Sequence, residues 1–467
     1  MDKFLLRLWV YLREFFQNGA HLQEKLKREL NLTQSTALNM IDMVGIGPFI
    51  VVPLVIQEMN GPQAMLAWVL GAFLSFLDGF VWAELGAAYP NAGGTYSFLK
   101  NIYGEKGPGR YFSFLFIWQT IIQAPLVVAS GAIGFAQYFT YLAPIDPLMQ
   151  KAVSGALVLL LVLLLYRRIG EVGNISVLLW IGVVGTMVWI IFGGVTHFDP
   201  AKAFDYPEGA FTFDLVFFAA LGSATIKTIY TYLGYYNVCH LGSEVKNPEK
   251  IIPQSMFISI AGIAVLYLIM QMSFLGVIHW EEIKNSQFVV SLFMERIYGT
   301  TAAKIVTLLI LWIAFSSLFA VLVGYTRIPY AAALDGNFFK VFGEVHPVKN
   351  FPHKSLLILG GIAFVFSLLF RLKDVIAAIL AMRILVQFVN QTIGLIYLHK
   401  KGVRENFPYK MPLFPLPPLI SLLVWIGLFL STGFNFIAGG LGMIMLGSIV
   451  YFFRAYRQKE WPFAQQL

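Results

Sequence analysis

The chain has 467 residues, of which 58% are hydrophobic, 16% aromatic and 12% charged. Soluble proteins are about one-quarter charged, so this composition leaves too little polar surface to coat several soluble cores. The formal net charge is +8, but no clustered basic arm with stacking aromatics accompanies it, which argues against nucleic acid as a partner. The single cysteine, Cys239, excludes an internal disulfide and a cysteine-based metal site.

Long apolar runs predict an all-α integral membrane protein with about twelve transmembrane helices. Charge-free runs such as 172–196 and 251–278 exceed the roughly 20 residues that one span needs. With the N-terminus placed inside, most of the 33 Lys and Arg residues fall on the inner side, which predicts that both termini are cytoplasmic. The predicted spans are 34–58, 62–89, 109–142, 150–166, 172–195, 214–241, 253–279, 302–326, 355–371, 374–398, 412–431 and 436–453.

The first 30 residues mix apolar and charged side chains. This pattern fits an amphipathic helix that lies on the membrane surface. It fits a weakly ordered cytoplasmic tail equally well, and the residues alone leave both alternatives open.

Two predicted spans are interrupted by residues that break helices. Span 1 contains Gly45-Ile46-Gly47-Pro48, and both glycine and proline weaken a helix. Span 6 contains Gly234 between aromatic residues and an amide. Irregular backbone at membrane depth is tolerated only inside protein or beside water. Matched interruptions in corresponding spans of two five-helix halves therefore indicate the binding site of an inverted-repeat transporter.

Four short sequence blocks occur in order between residues 27 and 347. They read KREL (27–30), AELG followed by PNAGGTY (83–96), SEVKNPEK (243–250), and TRIPYA followed by DG (326–336). Together with the break GIGPF (45–49), this series resembles the amino acid–polyamine–organocation superfamily, and within it the L-type amino acid transporters. Ser243 replaces the first glutamate of the family's pattern, and the later spans match in hydropathy only.

The resemblance implies a LeuT-type fold, in which a five-plus-five inverted repeat (33–400) follows a cytoplasmic segment (1–32) and precedes two extra helices (401–467). Family members bind substrate between spans 1 and 6. Backbone N–H groups at the span-1 break would hold a carboxylate, carbonyls ending the first half of span 6 would take the amine, and Tyr235 would form a lid. The expected substrate-binding residues are Val44, Gly45, Ile46, Gly47, Tyr230, Tyr232, Gly234 and Tyr235.

The residues leave the coupling ion open. Many proton-linked members carry a lysine in span 5, whereas the corresponding stretch 174–184 contains Trp180 and no lysine. Sodium sites of this fold use hydroxyls on span 8, where this chain has two adjacent serines. The candidates for ion coupling are Asp42, Lys227, Ser316 and Ser317.

Charged residues at membrane depth cost about 2.5 kcal/mol or more each on insertion scales, so each needs a partner or a water path. Lys227 is a candidate partner for Asp42. Asp78, Lys227 and Arg383 also fit side chains near span ends that reach the interface. Glu84 and Arg383 are assigned gate or structural roles, and Glu84 is expected in an ion pair that closes the inner gate.

A secondary carrier is the function that these features favour. The spans hold no nucleophile–base or metal pattern for an enzyme, and no phosphate-binding loop for an ATP-driven pump. We therefore predict a permease of the plasma membrane that moves amino acids by proton-coupled symport or exchange, with H⁺ as the coupling ion and no cofactor. The alternative is a polyamine or cationic amine transporter of the same superfamily.

Overall fold

The computed structural model describes residues 26–369 and 383–463, and these residues fold mainly into helices. The predicted surface helix therefore lies largely outside the described residues. The long helices are α1 (Leu32–Met43), α2 (Gly47–Met59), α3 (Met65–Ala88), α4 (Thr95–Tyr103), α5 (Pro108–Phe139), α6 (Pro147–Leu165), α7 (Ile169–Thr196), α8 (Leu215–Tyr232), α9 (Pro248–Val277), α10 (Val289–Tyr298), α11 (Thr300–Leu334), α12 (His353–Leu369), α13 (Asn390–Lys400, after a π-helical segment Ile384–Val389), α14 (Leu416–Ser431) and α15 (Phe434–Gln458).

All of these helices except α4 and α10 correspond to predicted spans. Helices α1 and α2 form span 1, α3 and α5–α9 form spans 2 to 7, α11 to α13 form spans 8 to 10, and α14 and α15 form spans 11 and 12. Among the described residues, eight helices are long and apolar enough to cross a membrane, the bent pair α1–α2 makes a ninth span, and α12 and α14 are shorter apolar helices. A multi-pass helical membrane protein is thus confirmed. Span 10 falls partly on 370–382, outside the described ranges, so the count of twelve stays a prediction.

The packing of the spans follows the predicted repeat. The most extensive contacts between helices join α3 to α9, α11 to α5, and α8 to α2. These pairs are span 2 with span 7, span 8 with span 3, and span 6 with span 1. Span 4 likewise packs on span 9. Spans 1 to 4 each meet the span that holds the same position in the proposed second half, an arrangement expected when two similar halves pack around a common axis.

The break in span 1 forms where the sequence predicts it. Helix α1 starts with a capping box, in which the Asn31 side chain and Gln34 exchange hydrogen bonds with each other's backbone. It ends at Met43, and α2 begins at Gly47 at an angle of 45°. Pro48 stands in the first turn of α2, where its missing N–H costs no hydrogen bond.

The break in span 6 depends on one glycine. Helix α8 ends at Tyr232, Leu233 is extended, and Gly234 has φ +125° before a short helix resumes over Asn237–His240. A Cβ on Gly234 would lie 2.7 Å from the backbone nitrogen of Met43. The left-handed backbone and this close approach both require glycine. The two breaks are therefore in direct contact at the centre of the protein.

Candidate substrate cavity

A cavity of about 350 Å³ lies where the two breaks meet. This volume is within the usual range of small-molecule sites, about 300–1,000 Å³. Spans 1, 3, 6, 8 and 10 all contribute to its wall, and most of the lining is apolar. The cavity therefore occupies the position that the paired interruptions predict.

The span-1 side of the cavity presents backbone N–H groups. Ile46 is the N-cap of α2 and Gly47 its first residue, so neither amide has an acceptor within the helix. The N-terminal end of a helix also carries about half a positive charge. This geometry suits a carboxylate, and Gly47 leaves room for it because the nearest atom to a Cβ there is the Tyr230 ring at 3.6 Å.

The span-6 side presents the carbonyl end of α8, tied to span 1 by a tyrosine. The Tyr267 hydroxyl on α9 lies 3.0 Å from the Met43 carbonyl oxygen and 3.3 Å from that of Thr231. One hydroxyl therefore links the end of α1 to the end of α8. Sequence reasoning missed Tyr267, because a buried tyrosine in a long apolar span gives no local signal of its role.

The structure separates the predicted site residues into two groups. Val44, Tyr232 and Tyr235 do not line the cavity, although their neighbours do. The predicted residues that line it are Gly45, Ile46, Gly47, Tyr230, Gly234, Asp42, Lys227, Ser317 and Arg383.

The lid assignment for Tyr235 does not match its placement. Its hydroxyl donates to Asp78 Oδ2 at 2.5 Å, so the ring points away from the cavity. The next residue, Tyr236, lines the cavity instead, together with Tyr325 of α11. The reason is the turn at Gly234, which decides which of two adjacent aromatic residues faces inward.

Arg383 is a buried cation in the cavity wall and does not reach the membrane surface. Its guanidinium donates to the Tyr236 hydroxyl at 2.6 Å and to Gln387 Oε1 at 2.9 Å. Its Cζ also lies 5.3 Å from the centre of the Tyr236 ring, within the range of a cation–π contact. Asp42 lines the same cavity, so the wall holds a carboxyl group and a guanidinium.

Lys227 has a different partner from the one considered above. Its Nζ lies 2.6 Å from Glu58 Oε1, and the two side chains are 27% and 35% exposed. Asp42 is not paired with it. The lysine therefore belongs to a partly exposed ion pair that joins α8 to the end of α2, which corrects the hypothesis of an Asp42–Lys227 pair.

The predicted sodium-type ligands are partly engaged by the protein itself. Ser316 Oγ donates to the carbonyl of Trp312 at 2.7 Å, one turn back in its own helix, so it does not point at a shared site. Ser317 Oγ donates to the Asp42 carbonyl at 3.3 Å. In span 5, Trp180 Nε1 contacts Met40 Sδ at 3.1 Å, within the stretch where the resemblance led us to look for a lysine.

The four sequence blocks converge at one end of the protein, which we call the motif end (residues 27–30, 91–96, 240–246 and 326–330). The amides of Glu29 and Leu30 both donate to the Glu244 carbonyl at 2.9 Å. The Glu244 carboxylate is fully buried and accepts from Arg327 Nε and Nη2 at 2.7 and 2.8 Å. Sequence reasoning quoted both residues within motifs but did not pair them, because they lie on different elements.

Further bonds complete the motif end. Gly93 N donates to the His240 carbonyl at 3.0 Å, and Ala92 N to Ser243 Oγ at 2.8 Å. A second cavity of about 440 Å³, lined by polar residues such as Asn91 and Asp335, lies beyond this layer. The layer therefore separates the central cavity from a second, more polar one.

Glu84 forms a buried ion pair with Arg404, and the expected role of this pair in closing the inner gate stays a prediction. Its carboxylate accepts from Arg404 and, at 2.7 Å, from the backbone nitrogen of Met411. Both partners lie in the connection between spans 10 and 11. The pair therefore fastens span 2 to that connection and does not touch the central cavity.

Comparisons with known proteins agree with this structure. The family described as "Amino acid permease" matches residues 30–455. The serine/threonine exchanger SteT of Bacillus subtilis (strain 168) is 24% identical over 85% of this chain and 89% of its own length. The branched-chain amino acid permease BcaP of the same organism is 25% identical over 92% and 93%. The human cystine/glutamate transporter is 24% identical over 91% and 84%. Because the family match covers nearly the whole chain, this protein belongs to the amino acid permease family, whose members are transporters and not enzymes.

Proposed function

We propose that this permease is a secondary carrier for neutral amino acids, moved by proton symport or exchange across the plasma membrane. The observation that carries the proposal is the central cavity, which joins two broken spans and contains both a carboxyl group, Asp42, and a buried guanidinium, Arg383. Both termini are proposed to be cytoplasmic, which places the motif end on the inner side. Residues 33–400 are proposed to form the transport core, and 401–467 two added helices.

The backbone of the two breaks suits the common part of every amino acid. The N–H groups at Ile46 and Gly47 are proposed to bind the carboxylate, as helix N-termini bind anions elsewhere. The carbonyl end of α8, from Tyr230 to Gly234, is proposed to bind the amine. These contacts recognise any α-amino acid and leave the choice of side chain to the rest of the cavity.

The charges in the cavity favour a substrate without net charge. Asp42 and Arg383 have opposite charges and Lys227 is paired with Glu58, so the wall carries no large excess of either sign. A dicationic polyamine would meet the buried guanidinium of Arg383, whose repulsion is costly in a site of low dielectric. Apolar side chains such as Ile50, Val51 and Leu318 cover much of the remaining wall. The two bacterial relatives described above, named for serine/threonine and branched-chain substrates, support the same class.

The proposed coupling ion is H⁺. Of the two span-8 hydroxyls, Ser316 is bonded within its own helix and Ser317 to the Asp42 carbonyl. A sodium ion needs several oxygen ligands that converge on one point, whereas the two hydroxyls are directed at different carbonyls, those of Trp312 and Asp42. A proton needs a single carboxylate, and the spans contain several.

A ligand screen with matched variants tests the proposal. The purified protein should gain thermal stability with neutral amino acids and little with acidic amino acids, cationic amino acids or polyamines. In liposomes preloaded with the stabilising amino acid, labelled uptake of that compound should follow by counterflow. Stabilisation by polyamines alone would overturn the substrate class.

Two glycine variants locate the site. Gly45→Leu and Gly47→Leu should abolish both the thermal shift and the uptake, because a side chain fills the backbone approach; a Cβ on Gly45 already lies 2.9 Å from Ser317 Oγ. Gly185→Leu is the control, since a Cβ there meets nothing within 4 Å. Normal uptake by both break variants would rule out this position for the site.

A further inference from the structure

Asp78 is a buried carboxylate that the substrate cavity does not use. It lies within α3 and is 2% exposed. Each of its oxygens accepts one hydrogen bond: Oδ2 from the Tyr235 hydroxyl at 2.5 Å, and Oδ1 from Trp425 Nε1 at 2.8 Å. These donors belong to the span-6 break and to span 11. One side chain therefore links three spans.

Asp78 differs from the buried acids Glu84 and Glu244 in having no cation. Glu244 is paired with Arg327 and Glu84 with Arg404, whereas none of the ion pairs among the described residues includes Asp78. A buried carboxylate without a countercharge is costly, and taking up a proton removes that cost. The site therefore suits a carboxyl group that gains and loses a proton.

The groups that face Asp78 from neighbouring elements are uncharged. Tyr235 contacts it directly, and Tyr236 lies behind, with the two ring centres 5.2 Å apart. Beyond the two tyrosine rings lies a cation, Arg383, which donates to the Tyr236 hydroxyl and is separated from Asp78 by both rings. Helix α14 contributes Trp425 and carries no charged residue.

A small cavity of about 10 Å³ adjoins the carboxylate, close to the minimum for one water molecule. Ser75 and Ser421 line it with Asp78. The Ser421 hydroxyl is buried and has no hydrogen-bond partner among the described residues. An unsatisfied hydroxyl beside a carboxylate suits a water molecule that passes a proton.

Protonation would change the bond to the span-6 break. An ionised carboxylate accepts from both donors, whereas a protonated one keeps a single carbonyl oxygen and an O–H that must donate. Trp425 can only donate, so it retains the carbonyl oxygen. Tyr235 can accept, so the Asp78 O–H would turn toward its oxygen, and the tyrosine proton would need another acceptor. Tyr235 follows Gly234, which contacts the span-1 break.

We propose that Asp78 is the proton-binding site that couples H⁺ to substrate movement, with Tyr235 transmitting its state to the two breaks. This inference rests on the proposed transport function. Asp42 is the competing carboxylate, but it shares its cavity with Arg383 and lies on the substrate side.

The experiment separates transport from coupling. Protein in liposomes is assayed for substrate counterflow without a pH gradient and for substrate uptake with and without an inward proton gradient. A pH-sensitive dye inside the liposomes reports proton entry. Asp78→Asn should retain counterflow, lose the stimulation of uptake by the gradient, and show no substrate-dependent proton entry. Counterflow that fails in the unmodified protein would refute the proposed function itself.

Two further variants test the proposal if Asp78→Asn does not fold. Tyr235→Phe retains the ring and the carboxylate, and should reduce the stimulation by the gradient while counterflow continues. Asp42→Asn should keep the response to pH wherever it still transports. The proposal is overturned if Asp78→Asn or Tyr235→Phe responds to the gradient as the unmodified protein does. Loss of proton coupling in Asp42→Asn alone would also overturn it. So would counterflow by the unmodified protein without any response to the gradient.

Discussion

The two ends of the central cavity are closed in different ways. At the motif end, segments distant in sequence are joined by backbone hydrogen bonds and by the buried pair Glu244–Arg327. At the opposite end, which we call the mouth (Leu54, Glu58 and Lys227), one ion pair among the described residues links spans 1 and 6, and both of its side chains are partly exposed. The motif end is therefore held by a buried ion pair, and the mouth by a partly exposed one.

This difference shows which end has to rearrange more for substrate to pass. Buried charge pairs lose several kcal/mol when one partner is removed, whereas exposed pairs are worth about 0–1 kcal/mol. Opening the mouth requires little free energy, whereas opening the motif end requires many bonds to be broken together. Because the two breaks contact both regions, substrate binding between them is well placed to shift the balance.

Breaking the buried pair should have the largest effect. Arg327→Gln leaves the Glu244 carboxylate buried without a cation, a loss of about 3–5 kcal/mol. We expect a large fall in melting temperature and loss of uptake. Arg296→Gln is the matched control, because Arg296 pairs with Glu282 at 2.6 Å on the exposed surface. Equal melting temperatures for the two variants would show that the pair does not hold the motif end.

A smaller disruption at the centre should separate binding from folding. Gly234→Ala forces a side chain onto a residue with φ +125° and against the Met43 nitrogen, which costs more than about 1 kcal/mol. We expect the substrate-induced thermal shift to disappear while the protein still inserts. Gly222→Ala, in helix α8 of the same span, meets nothing within 4 Å and should retain the shift. A preserved shift in Gly234→Ala would mean that substrate binding tolerates a changed break.

Removing one hydroxyl should weaken the link between the breaks without abolishing it. Tyr267→Phe deletes the bond that reaches the Met43 and Thr231 carbonyls, typically about 1 kcal/mol. We expect a modest fall in melting temperature and a change in the apparent affinity for substrate. Tyr456→Phe, on the exposed end of α15, should change neither. An affinity equal to that of the unmodified protein would argue that the hydroxyl serves stability alone.

The sequence predicts the breaks well because glycine and proline act on the backbone where they stand. Gly45, Gly47 and Gly234 each lie at a discontinuity of the expected span. The sequence does not tell Tyr235 from Tyr236, because the turn between them sets their directions. It also does not pair Glu244 with Arg327 or Lys227 with Glu58, since such partners are chosen by packing between spans distant in the chain.

A substitution at the mouth should have the smallest effect on stability. It also tests most directly whether the two ends of the cavity differ. Lys227→Met removes a half-exposed pair, so the melting temperature should change by an amount equivalent to less than about 1 kcal/mol. A double-mutant cycle with Glu58→Gln should show coupling, because the two atoms are 2.6 Å apart. The cycle with Asp42→Asn should be additive, because the two residues share no bond. Coupling to Asp42 together with independence from Glu58 would mean that the lysine turns inward, and the mouth would then be held by a buried pair like that of the motif end.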